Sequence, residues 1–216
     1  MRRLSILAGI PLTILFFFMS VSASPAATAI DLGTADSFAV VGASGVTNSG
    51  PTVVNGDLGT SPNPSVTGFG GAPNGTVNGA IHQADAVAAQ AQAATTTAYN
   101  NAAGQGPTTM LPTELGGQTL TPGVYNSASG TFGITGTLTL NAQGDPNAVF
   151  IFKTASTLIS ASGSRVNLIN SAQSCRVYWQ VGSSATLGTD SVFLGNIMAL
   201  TSITLNNGVT EEPTCQ

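Results

Sequence analysis

Charge is what this chain lacks most. Of its 216 residues only 6% are Asp, Glu, Lys or Arg, against about a quarter in an ordinary globular protein. Five basic residues and a net charge of −4 give no patch to grip a phosphate backbone and no polybasic stretch for an anionic lipid surface. Nucleic-acid and membrane-surface partners are therefore excluded. The single histidine, His82, has no identifiable nucleophile and orienting acid to make a triad with. Asp31, Asp36, Asp57, Asp85, Asp145 and Asp190 are scattered, mostly at turns, where Asp is at home. They do not form the clustered carboxylates that cleavage of a glycosidic bond needs. One histidine and two distant cysteines fit no zinc spacing, and no calcium-loop pattern occurs. The expectation is a protein that is not an enzyme and carries no metal or cofactor.

Cysteine is scarce too. Cys175 and Cys215 leave two readings: one disulfide, as a secreted chain permits, or two free thiols. What fills the chain instead is small. There are 26 glycines, with Ala, Thr, Ser and Asn making up much of the rest. Such a profile resembles low complexity, but 42% apolar residues at regular spacing can bury a core, which argues against disorder. The length suits one domain of ordinary size.

Residues 1–29 read as a secretory signal. Arg2-Arg3 is the charged start, residues 4–19 the apolar stretch, and Ala27-Thr-Ala29 fits the cleavage pattern, with Val21-Ser-Ala23 as a second option. Its removal leaves three basic residues against nine acidic ones, a net charge of −6. No later stretch is a candidate for crossing a membrane, so the expected product is a soluble, secreted, monomeric protein with residues 30–216 as its single domain.

Residues 130–205 read in near-repeats: Thr137-Leu-Thr-Leu140, Ser156-Thr-Leu158, Ser184-Ala-Thr-Leu187 and Ser202-Ile-Thr-Leu205. Their spacing lies in the range of stacked repeats and predicts a β-solenoid. Within each run the Leu, Ile and Ala positions share one side and the hydroxyls the other, which puts one face in the core and one in water. Two other runs, Ala148-Val-Phe-Ile-Phe152 and Val177-Tyr-Trp-Gln-Val181, are apolar on both sides and call for cover on both faces. The cover is predicted over residues 80–103, where Ile81, Ala84, Ala88, Ala91, Ala94 and Ala98 recur at helical spacing. A helix of that length spans about 36 Å, enough to run along six coils stacked about 4.8 Å apart. Residues 61–73, rich in Pro and Gly, read as a loop. Val77-Asn-Gly-Ala-Ile81 echoes Val54-Asn-Gly-Asp-Leu58 as one repeated corner.

The outward pairs expected to line up are Thr137/Thr139, Ala155/Thr157, Ser184/Thr186 and Ser202/Thr204, with Gly45/Thr47 as a candidate fifth rung. They form a stiff grid of short side chains almost free of charge. Outward Thr and Ser are also simply what good strand formers look like, so the grid alone does not name a function.

A resemblance adds to it. Val54-Asn-Gly-Asp-Leu-Gly-Thr-Ser-Pro62, Leu115-Gly-Gly-Gln-Thr-Leu-Thr-Pro-Gly-Val-Tyr125, Gly144-Asp-Pro-Asn-Ala-Val-Phe-Ile-Phe152, Trp179-Gln-Val-Gly-Ser-Ser-Ala-Thr-Leu-Gly188 and Gly195-Asn-Ile-Met-Ala-Leu-Thr-Ser-Ile-Thr-Leu205 resemble, in that order, the secreted microbial ice-binding proteins. The resemblance covers about residues 30–208. It implies a discontinuous right-handed parallel β-solenoid, mainly β, with one long α-helix alongside and the N-terminal strand packed beside the last coil. It implies ice as the partner, and antifreeze or recrystallisation inhibition as the outcome. Some members carry a T-A/G-x-T/N motif on the ice-binding face, and Thr154-Ala-Ser-Thr157 fits it. The expected face is therefore Thr137, Thr139, Thr154, Ala155, Thr157, Ser184, Thr186, Ser202, Thr204 and Thr47. The end departs from the pattern: after Ser202-Ile-Thr-Leu205 about one coil is missing. A cell-surface adhesion or carbohydrate-binding solenoid without ice activity is the alternative. It needs an aromatic platform, whereas Tyr178 and Trp179 fall in a doubly buried run.

Overall fold

The computed structural model describes residues 27–212. The predicted signal falls largely on residues outside that range. The chain winds into a triangular solenoid in which every ladder is parallel, so strands repeat face by face rather than as hairpins. The first face combines a five-stranded sheet, Asn196–Ala199, Val177–Val181, Phe150–Thr154, Gly123–Ser127 and Thr109–Leu111, with a three-stranded one, Phe38–Gly42, Asp57–Thr60 and Ile81–Gln83. The second runs Phe132–Ile134, Leu158–Ser160, Ser184–Leu187, Ser202–Leu205, then the pair Val46–Thr47 and Val66–Thr67. The third has seven strands in the order Thr76–Val77, Val53–Val54, Thr210–Glu212, Val192–Leu194, Arg165–Ile169, Thr137–Asn141 and Thr119–Leu120.

Coil order is discontinuous, as the resemblance implied. Strands from the start of the chain stack on those from its end. Asn48 pairs with Leu205 on the second face, and Thr210 and Glu211 pair with Val53 and Val54 on the third. On the first face the two halves do not pair. A cavity of about 80 Å³ separates Val41 from Met198 there, roofed by Gln92, Thr95 and Tyr99. The repeated Val-Asn-Gly corner is real: Val54 sits beside Val77 and Leu58 beside Ile81.

The interior follows from the two-residue period. Tyr125, Phe152 and Trp179 occupy one register position on successive coils, and their rings stack, with centroids 5.3 and 4.1 Å apart. Phe193 continues the column at 5.0 Å from Trp179. Offset ring pairs of this kind contribute about 0.5–1.5 kcal/mol beyond their buried area. Trp179 is buried, with its indole N–H donated to the Leu194 carbonyl, which settles its role as structural.

The helix runs Ala86–Gly104, not 80–103. Ile81–Gln83 is a strand beside Asp57–Thr60. Alanine spacing continued the helical pattern backwards, but Asp85 stops it: its carboxylate caps the helix by accepting the Ala88 N–H at 2.8 Å. The remaining 19 residues span about 28 Å. Ala88, Ala91, Ala98 and Ala102 are fully buried. Ala98 and Ala102 pack on Val124, Ile151 and Tyr178, the outer side of the doubly apolar strands. The Lys153 ammonium donates to the carbonyls of Ala103 and Gln105 at the far end.

Candidate functional site

The helix covers the first face. The second is open, and its side chains line up in three columns. One carries Gly133, Ile159, Thr186, Thr204, Thr47 and Thr67. The next, two strand positions back, carries Thr131, Thr157, Ser184, Ser202, Gly45 and Ser65. At the corner with the helix-backed face come Ala155, Gly182 and Leu200, tied by the Gly182 N–H to the Thr154 carbonyl and the Leu200 N–H to the Val181 carbonyl. Neighbouring rungs of a sheet lie about 4.8 Å apart, and positions two residues apart on a strand about 6.8 Å.

Hydroxyls bond along the columns. Thr131 and Thr157 meet at 3.2 Å, Ser202 donates to Ser184 at 3.0 Å, and Thr67 donates to Thr47 at 3.3 Å. These contacts restrict side chains that are already stiff at χ1. Underneath, Phe132, Leu158, Ala185 and Leu187 are buried and hold the sheet flat against the core. Gly182 lets successive coils close at the corner, because a Cβ there would stand 2.3 Å from the Ala155 carbonyl.

The one charged side chain in line with the columns is Glu114, whose strand position pairs with Gly133. Its carboxylate turns in to accept the N–H groups of Gly116 and Thr135 and the Thr135 hydroxyl, at 2.7, 2.8 and 2.9 Å. Desolvation pushes the Glu114 carboxyl up, but those three donors outweigh it and hold its pKa below the ordinary value. The rest of the three columns carries no ionisable group.

Seven expected residues come together here: Ala155, Thr157, Ser184, Thr186, Ser202, Thr204 and Thr47. Three do not. Thr137 and Thr139 lie on the third face, beside Arg165 and Asn167. Their Thr-Leu-Thr-Leu run has the same period as the runs of the open face, but it follows the next corner of the coil. Thr154 is only 3% exposed. It ends a strand of the helix-backed face, and its hydroxyl turns in to the Gly130 carbonyl. The four-residue motif therefore spans a corner, with one threonine structural and the other on the surface.

Thr67, Ser65 and Thr131 were missed. Residues 61–73 read as a loop, yet Val66–Thr67 is a strand paired with Val46–Thr47. The signal was present: Gly45-Val-Thr47 and Ser65-Val-Thr67 share one pattern. Cys175 is disulfide-bonded; Cys215, its expected partner, lies outside the described residues.

Residues 40–213 match the family described as ice-binding-like. An ice-binding protein of Nostoc sp. (strain HG1) is 50% identical over 202 residues, covering 93% of this chain and 73% of that protein. The crystal structure of an ice-binding protein from the Antarctic ascomycete Antarctomyces psychrotrophicus superposes with a TM-score of 0.77 at 36% identity, covering 88% of this chain and 99% of that one. One from an Antarctic biological consortium gives 0.80 at 36% identity, covering 96% and 97%.

Proposed function

The chain belongs to the ice-binding-like family, and from that premise we propose that it binds ice crystals through the open face, with antifreeze or recrystallisation-inhibiting activity. The observation that carries this is the three-column array of short side chains in parallel register. Ice presents no net charge and a repeating lattice of oxygens. A regular field of methyls and hydroxyls holds waters in a matching arrangement, and such bridging waters are nearly as favourable as direct hydrogen bonds. Each contact is weak, so the contacts add up only on a surface that does not have to reorganise. The flat, core-backed sheet with its hydroxyl–hydroxyl bonds meets that condition. This role is binding, not catalysis, carried out by a secreted monomer.

The adhesion or carbohydrate reading finds no support on this face. Tyr178 and Trp179 are buried, and the open columns carry no aromatic platform.

The test is crystal shaping and thermal hysteresis with the purified protein. Growing ice is expected to become faceted. Thr204→Tyr is expected to remove most of the hysteresis while Tm is retained, and Thr139→Tyr, on the third face, to leave it intact. Rounded crystals in the wild-type protein, or equal effects of the two substitutions, would overturn the assignment.

A further inference from the structure

The open face is not uniform. Its Gly133 column begins at Glu114, whose carboxylate lies over Gly133. Next stands Ile159, 48% exposed, whose side chain rises one carbon higher than a threonine. Beyond it the column holds threonine without interruption: Thr186, Thr204, Thr47 and Thr67. Two of these come from strands late in the chain and two from strands near its start. Among the hydroxyl side chains of the first two columns exposure follows the same gradient. Thr131, Thr157, Ser184 and Thr186 are half-buried, whereas Ser202, Thr204, Thr47, Ser65 and Thr67 are exposed. On the corner column, Leu200 is 61% exposed and stands next to Gly182, which has no side chain, closing the flat area on the helix side.

We propose that ice is held chiefly by the single row Thr186, Thr204, Thr47 and Thr67, so that the centre of the binding surface lies across the seam between the two ends of the chain. The proposal rests on the reading that the open face binds ice. A planar lattice lowered onto the whole face meets Ile159 and Leu200 before it meets hydroxyls. Placed beyond Ile159 and inside Leu200, it rests on the threonine row and the adjacent Ser184, Ser202 and Ser65. Thr204 and Thr47 are neighbours only because Asn48 pairs with Leu205 across the seam. On its other side the Asn48 side-chain amide ties the Thr47 and Thr67 coils together by donating to the carbonyls of Gly50 and Gly68, at 2.7 and 2.8 Å.

Three full-chain variants test this by thermal hysteresis at matched concentration, with circular dichroism and Tm as the check on folding. Thr67→Tyr blocks the row at its outer end, one rung beyond Thr47, and is expected to lose most of the hysteresis. Thr131→Tyr sits on the same face at its opposite end, outside the row, and is expected to lose a clearly smaller share of it. Ile159→Thr lowers the raised position and adds a fifth threonine, so hysteresis is expected to rise, an effect that misfolding cannot produce. Retained hysteresis in Thr67→Tyr, a loss in Thr131→Tyr as large as that in Thr67→Tyr, or anything but a rise in Ile159→Thr overturns the row. Failure of the face itself reads differently: Thr204→Tyr and Thr139→Tyr then behave alike.

Discussion

Substituting Thr154 with Val separates stability from ice binding within one four-residue motif. The hydroxyl of Thr154 is buried and bonded to the Gly130 carbonyl. A net hydrogen bond of this kind contributes about 0.5–1.5 kcal/mol. The larger penalty for an orphaned acceptor does not arise, because the same carbonyl also accepts the Ser156 N–H at 2.8 Å. The cost is therefore about 1 kcal/mol, which for a domain of this size lowers Tm by roughly 2–4 °C. Hysteresis per folded molecule stays unchanged, since the side chain points inward. Thr204→Val gives the opposite pattern: Thr204 is exposed, so Tm holds while hysteresis falls. Calorimetry and a nanolitre osmometer on the same samples read both quantities. A Thr154→Val protein with wild-type Tm and lost hysteresis would refute the inward placement and return the whole motif to the surface.

Acid should act on the scaffold and not on the face. Asp57, Asp85 and Glu114 all have pKa values lowered in the folded state. Their stabilising contribution is full above the ordinary carboxylate range, near pH 4, and is lost as pH falls through the folded values. Tm is expected to be level near neutrality and to drop below about pH 4, with hysteresis constant for as long as circular dichroism shows the protein folded. Ala98→Leu places a larger side chain where Ala98 is fully buried against Val124 and Ile151. Overpacking of that kind costs about 1–3 kcal/mol and should lower Tm in a melting experiment. Thr28 exchanges two hydrogen bonds with the Gln105 side chain, at 2.9 and 2.8 Å. Gln105→Ala removes both, and Tm is expected to fall slightly in the same melting experiment.

Local periodicity made most of the architecture legible. The Leu-hydroxyl runs announced strands with one buried side, the doubly apolar runs announced strands needing a cover, and the alanines announced the cover. Two kinds of information were not local. Which corner a strand follows decides which face it joins, and Thr137-Leu-Thr-Leu140 carries the same pattern as Ser202-Ile-Thr-Leu205 while facing another way. Partnership between coils is likewise invisible along the chain: Val66–Thr67 has only two residues in its strand and gains its place from Val46–Thr47. The helix start was misplaced because the helical spacing runs on back through Ala84 and Ile81, although Ala84 takes a positive φ and Ile81 joins a strand. The capping carboxylate of Asp85 decided the boundary.

The helix carries the chain from one end of the solenoid to the other, and this sets the order in which the molecule can be completed. The first coils, through Ile81–Gln83, emerge early during synthesis, yet their neighbours on the second and third faces are Leu205 and Thr210–Glu211, made more than a hundred residues later. Until those arrive, the early strands wait with a bare edge. Such long-range pairing is slow to form and exposed to misassembly in the meantime. Folding therefore ends where the two halves meet, and a truncation that removed the last strand would leave an unfinished edge instead of a shorter solenoid.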